Sequence, residues 1–346
     1  MASFRTGAVS EILSERAGLQ RVLVVFSDDT DPQRAYNLTQ MTGPVALGDA
    51  VVCNTTAVEL GLGTGGWHVV HWNLANRELV TPGAGHIMKL RYTSLQTNTG
   101  AAEEHLGEIE TGLGGVPVVG CTLHSQVGVV AAAFAARRPD ARLVYVMTDG
   151  AALPIALSDL VDQLTEQGLL CATVTIGNAF GGTKEAVTLA SGLAIARSVL
   201  GADAIVVGMG PGVVGTGTTL GHTALELVEI VHVCATLGGR AIVCLRASDA
   251  DPRERHRGVS HHSITALSHI RPGTPYVIAV ATEHAGIDLS VLPGSGDRVD
   301  IDVGDVGALL ASHSLRITTM GRNVDQDTAF FRFAVAAGFA AASMVQ

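Results

Sequence analysis

Up to about residue 92, short apolar stretches alternate with turn-forming clusters, and no helical period intervenes. QRVLVVFS (20–27), AVVCNTT (50–56), WHVVHWNL (67–74) and HIMKLRY (86–92) read as strands, separated by turn formers such as SDDTDP and TPGAG. Strands that follow one another directly predict a small antiparallel, β-rich and barrel-like domain over residues 1–92. The run TSLQTNTGAAEEHLGEIETGLGG (93–115) is polar, acidic and glycine-rich, and is expected as a linker or exposed loop.

From residue 116 the pattern becomes apolar strand, loop, helix, repeated to the end of the chain. The expected strands are PVVGCTL (117–123), ARLVYVMT (141–148), CATVTIG (171–177), DAIVVG (203–208), RAIVCLR (240–246), PYVIAVA (275–281) and LRITT (315–319). Between them, Leu157, Leu160, Val161 and Leu164 share one helical face that Gly168 ends. TKEAVTLASGLAIARSVLG and TALELVEIVHVCATLGG likewise stop at glycine. Near-continuous apolar strands alternating with helices predict an α/β domain over 116–346, with a mostly parallel, doubly wound, Rossmann-like sheet.

Composition narrows the function classes. Aromatic residues are only 4% against 47% hydrophobic, so Ala, Val, Leu and Ile must fill the interior. A net charge of -10 argues against nucleic acid as a partner, because non-specific affinity for it comes from basic surface. The five cysteines show no CxxC spacing and lie in apolar runs, the pattern of buried reduced thiols. MASFRTGAVSEIL lacks the apolar core of a signal peptide, and no run of about eighteen apolar residues occurs, so the expectation is a cytoplasmic protein without a membrane segment. FAVAAGFAAASMV (333–345) is expected as a buried helix or a subunit contact, which leaves a homo-oligomer open.

The chemistry-bearing residues collect where such a sheet binds ligands, beyond the carboxyl ends of its strands. His124 and Ser125 follow the first strand, Asp149 the second and Asn178 the third; Arg322 follows the last. The fourth leads into GMGPGVVGTG (208–217), five glycines in ten residues. Gly210, Gly212 and Gly215 match GxGxxG, the loop that cradles phosphate on a helix amino terminus. The acid expected about twenty residues later is missing, and no Walker lysine follows, so the match is not a dinucleotide fingerprint. Anion binding by the loop's N–H groups and Thr216, or a tight turn needing positive φ, are the two readings. After the fifth strand, DPRERHRGVSHH (251–262) gathers three arginines and three histidines. Arg253 and Arg257 are expected to clamp a phosphate or carboxylate. His256, His261 and His262 have ligand chemistry, but their spacing fits no standard zinc pattern, and no metal is expected. A second glycine cluster, Gly61 to His68, is expected as a loop.

Taken together, NTTAVELGLGTGG, GHIMKLRYTSLQ, LHSQ, YVMTDGAALP, GNAFGG, MGPGVVGTGTTLGHT, DPRERHRGVSHHS and TTMGR resemble a bacterial family described as domain of unknown function 3866. The resemblance spans nearly the whole chain and implies a prokaryotic, cytoplasmic protein. It brings no activity, cofactor or catalytic residue with it.

The residues themselves support an enzyme of small-molecule metabolism that binds a small anionic or phosphorylated molecule, with His124, Ser125, Asp149 and His262 as the catalytic candidates. A non-catalytic nucleotide or metabolite sensor is the alternative, and a Ser/His/Asp hydrolase a lesser one. No cofactor can be named from the sequence.

Overall fold

In a computed structural model, which describes every residue except 1, 64, 152, 284, 285, 295 and 346, the chain divides into two units, Met1–Gly100 and Ala101–Gln346. In the first, β1 (Phe4–Arg16), β2 (Leu19–Phe26), β3 (Gln33–Asn37), β4 (Ala50–Asn54) and β5 (His68–Asn73) close a barrel in the order β1-β2-β3-β5-β4. Alternate positions point inward, and Val9, Val22, Val24, Phe26, Ala35, Val51, Cys53 and Val70 fill the interior. β1 pairs with both β2 and β4, and two register shifts, at Val9/Glu11 and Ile12/Ser14, bend it. Gly7, two residues before the first shift, is glycine because a Cβ there would come within 2.6 Å of the Val24 side chain and the Val25 carbonyl. The expected strand at 86–92 shrinks to Met88–Lys89, paired with Thr97–Asn98. Leu90 and Tyr92 take φ of 51° and 65°, which no ladder accommodates. Gly61, Gly65 and Gly66 also have positive φ and form the expected loop; Thr64 within it lies outside the described residues.

The second unit holds an eight-stranded sheet in which every adjacent pair is parallel. Its strands are β6 (Pro117–Gly120), β7 (Leu143–Thr148), β8 (Ala172–Thr175), β9 (Lys184–Glu185), β10 (Ala204–Met209), β11 (Arg240–Cys244), β12 (Val277–Ala281) and β13 (Asp297–Ile301), in the order β9-β8-β7-β10-β6-β11-β12-β13. One face carries α1 (His124–Arg137), α2 (Asp159–Glu166), α6 (Val306–Ser312) and α7 (Thr328–Met344). The other carries α3 (Leu189–Ala194), α4 (Glu226–Thr236) and α5 (His261–Ser268). Tyr145 and Met147 face the first layer while Val144 and Val146 face the second, so β7 is apolar throughout. Gly168 and Gly238, at φ 71° and 73°, follow α2 and α4 as the sequence predicts.

Two elements differ from expectation. The segment 315–319 adds no strand to the sheet: Leu315 and Ile317 are buried beside α1, and only Thr319 makes an isolated bridge, to Arg322. The outer position belongs to β13, DRVDI, whose mostly exposed polar residues hide a strand from any reading of apolar runs. α3 starts at Leu189 because Lys184–Glu185 pair first as β9; Thr188 caps it, and a π turn (Ile195–Val199) continues it. The alanine-rich carboxyl segment is the buried helix α7. Cys171 is exposed, whereas Cys53, Cys121, Cys234 and Cys244 are buried. Among the described residues, no helix is long and apolar enough to cross a membrane.

The chain runs from β7 toward β8 but from β10 toward β11, and these adjacent strands thus send their connections in opposite directions. Such a divergence opens a crevice at the carboxyl ends of the two strands.

Candidate functional site

Glu226, the first residue of α4, occupies the β7/β10 crevice. Helices that follow parallel strands begin at the carboxyl edge, so their first-turn residues share that edge with the strand ends. Thr148, the last residue of β7, donates its hydroxyl to Glu226 Oε2 at 2.7 Å, while Oε1 is buried without a hydrogen-bond partner among the described residues. Burial raises the Glu226 carboxyl to about 7 against the opposing pull of Thr148 and the Met209 backbone; Asp149 and Glu229 add to the rise. Gly150 gives the carboxylate room, since a Cβ there would lie 3.1 Å from Oε2. A carboxyl poised near neutrality with a vacant oxygen can give or take a proton.

His124 stands on the other side of Met209. Its Nδ1 donates to the Met209 carbonyl at 3.1 Å, and its Nε2 is 2.6 Å from the Ser158 hydroxyl. Ser158 in turn caps α2 by accepting from the Val161 N–H. Burial lowers the imidazole to about 4, so it is neutral and holds β10 to α2. The Ser/His/Asp arrangement does not form. The imidazole's hydroxyl partners are Ser158 and Tyr145, not Ser125, and Asp149 accepts from the Asn178 N–H at 3.1 Å, bracing the Gly177 turn.

The glycine run is an exposed flap rather than a cradle on a helix. Helical structure resumes only at Thr223, beyond an isolated bridge between Gly215 and His222. The flap is held by Thr216 N–H to the Gly221 carbonyl (2.8 Å), Thr223 N–H to the Val214 carbonyl (3.0 Å) and the Thr216 and Thr218 hydroxyls (2.9 Å). Gly212 and Gly217 require glycine at φ 106° and 79°. Gly210 is buried at the flap's base. Gly212 comes nearest Ala151, after β7, whereas a Cβ on Gly215 would lie 3.4 Å from His262 Nε2.

Beneath the far half of the flap lies a cluster of imidazoles. His222 and His262 stack with centroids 3.9 Å apart, and His261 is 4.4 Å from His262. His256 closes the group at 4.8 Å from His262 and bonds Ser260 Oγ at 2.8 Å. Among the described residues, Nε2 of His261 is buried without a partner, and the ring nitrogens of His222 make no well-formed hydrogen bond, with the Thr219 backbone nearby. Burial is the first cause lowering all four imidazoles; Arg246 further lowers His222 against the Thr219 backbone, His222 and the arginines lower His261 and His262, and Arg246 and Arg253 help take His256 down to about 3. The rings are therefore neutral in a positive field.

That field has a buried frame. Arg246 is 4% exposed; it donates to His262 Nδ1 at 3.2 Å and lies 4.0 Å from Asp251. Arg253 grips Asp251 through two bonds of 2.9 and 2.8 Å, and Arg322 joins Asp251 (3.3 Å) to Asp327 (2.9 Å). Burial opposes the ionised Asp251, but its arginine partners outweigh it and hold the carboxyl well below the usual range. The expected clamp is thus altered: the forks of Arg253 and Arg322 already hold carboxylates, while Arg257 is exposed and Arg255 lies beside Gly217. Glu226 and His222 escape the sequence reading because both lie past the flap, in a stretch whose apolar period marks it only as a helix. The chain matches none of the curated proteins. A family model described as Protein of unknown function (DUF3866) matches residues 34–338, carrying β3 through most of α7, and the chain belongs to that family.

Proposed function

We propose that the protein is an enzyme of small-molecule metabolism that binds an anionic ligand at the carboxyl edge of the parallel sheet and moves a proton on it through Glu226. The observation that carries this reading is the Glu226 carboxyl itself, buried at the strand divergence with one oxygen engaged by Thr148 and the other without a partner among the described residues. A buried acid near neutrality serves as donor or acceptor at physiological pH, which a merely structural carboxylate does not need. The arginines that depress the nearby imidazoles supply the attraction for an anion in a chain of net charge -10. The family resemblance supports a prokaryotic cytoplasm as the setting.

A thermal-shift screen of nucleotides, sugar phosphates and small carboxylates tests the reading. An anion at 100 times its dissociation constant stabilises by about 2.7 kcal/mol. The expected result is such a shift in wild type and in Glu226→Gln, with turnover of that anion only in wild type. No shift with any anion would overturn the proposal. An anion that binds both forms equally and is left unchanged assigns the chain to ligand sensing instead.

A further inference from the structure

The imidazole cluster has a use beyond proton transfer at Glu226. His222, His261 and His262 each offer a ring nitrogen, and these atoms lie within 4.8 Å of one another. His222 is 7% exposed and His262 4%, so the nitrogens belong to the interior rather than to a solvated surface. Native interiors almost always pair such atoms, yet among the described residues Nε2 of His261 has no hydrogen-bond partner and the His222 ring has no well-formed one, only the nearby Thr219 backbone. One nitrogen on each of three neighbouring imidazoles, two of those rings lacking a well-formed hydrogen bond, is what a cation without protons of its own would satisfy.

We propose that His222, His261 and His262 bind a divalent transition-metal ion of the zinc class, with the fourth position open toward Gly215. Neutral imidazoles suit zinc, cobalt, nickel and copper, whereas magnesium and calcium prefer oxygen ligands, and no carboxylate belongs to this group. Three protein ligands with a vacancy are the pattern of a catalytic rather than a structural zinc. The vacancy faces the flap, where the missing side chain of Gly215 leaves His262 Nε2 reachable. Ligand nitrogens at a tetrahedral zinc stand about 3.3 Å apart, so the set must contract. His222 stacks nearly parallel on His262, so their in-plane lone pairs run side by side, and His222 must turn out of that stack to share an ion with it.

Two neighbours shape the site. Arginine only donates, so Arg246 at His262 Nδ1 leaves the free ring protonated on Nε2. Ion binding at Nε2 moves that proton to Nδ1 and ends the contact, and Arg246 can then turn to Asp251, 4.0 Å away. Arg246, Arg253 and Arg255 all raise the local potential, which selects an anion as the fourth ligand. The set spans forty residues of sequence, which is why the spacing within 256–262 alone fits no zinc pattern.

The test uses the full chain, stripped with EDTA and titrated with cobalt(II) chloride in the absence of any candidate substrate, so that its outcome is independent of the Glu226 reading. The expected result is one cobalt per chain, with the intense visible bands of four-coordinate cobalt, displaced by zinc. His222→Gln and His261→Gln should each weaken binding by at least about 100-fold, more than loss of an outer partner gives. His313→Gln, outside the cluster, should bind like wild type. Circular dichroism checks that each variant is folded. Independently, zinc should protect His222, His261 and His262 of the wild-type chain from diethyl pyrocarbonate, read by mass spectrometry. Cobalt bound no more tightly by wild type than by the His222→Gln/His261→Gln double variant, or an absence of zinc protection, overturns the site.

Discussion

Glu226 and His124 meet at Met209 and respond to pH in opposite directions. The His124 imidazole falls from 6.5 to about 4 on folding, chiefly through burial, so its contribution is complete above pH 6.5 and is lost as pH falls toward 4. Glu226 rises from 4.5 to about 7, so its contribution is complete below pH 4.5 and is lost as pH rises through 7. Each shift corresponds to about 3 kcal/mol at its limit. Glu226→Gln should therefore be more stable than wild type at pH 8 by up to that amount, with the difference gone by pH 4, as urea unfolding at the two pH values will reveal. Asp149→Ala should lose the acceptor for the Asn178 N–H, costing about 1 kcal/mol in the same assay. Asp149 also helps raise Glu226, so the turnover profile of this variant should shift toward acid. His124, Asp149, Gly215 and His262 were legible in the sequence as residues at strand ends. Their roles were not: which nitrogen meets which carbonyl depends on strands far apart in the chain, as His124 on Met209 illustrates.

At the scale of elements, α1 and α7 lie close because both present small residues to each other. A Cβ on Gly338 would come within 2.6 Å of Ala133 Cβ and of the Val130 carbonyl. Gly338→Ala should thus destabilise by about 1–3 kcal/mol through overpacking, despite alanine's better helix propensity, and should lower the urea midpoint. The central strands were readable because a parallel sheet covered on both faces needs unbroken apolar runs, as in LVYVMT of β7. β13 and β1 were not, since outward polar positions dominate DRVDI and FRTGAVSEILSER. Leu315 and Ile317 misled for the converse reason: they are apolar because they cover α1, and burial alone does not make a strand. The glycine motif failed as a fingerprint for a reason of length. Ten residues lie between Gly215 and Glu226, too many for the loop to sit on the amino terminus of α4.

For the whole molecule, the parallel sheet has two margins, and each is constructed differently. On one side β9 is only two residues long; on the other, β13 presents exposed Asp297, Arg298 and Asp300. Short or charged margins discourage another chain from adding a strand. Asp300→Val should remove one of these charges and favour self-association, detectable as a rise in light scattering at constant folded content. If scattering is unchanged at high protein concentration, β13 has no such role. The same charges that concealed β13 from a search for apolar runs would then be what keeps many copies of an alanine- and valine-rich chain apart in a crowded solution, a property of the population rather than of any one fold.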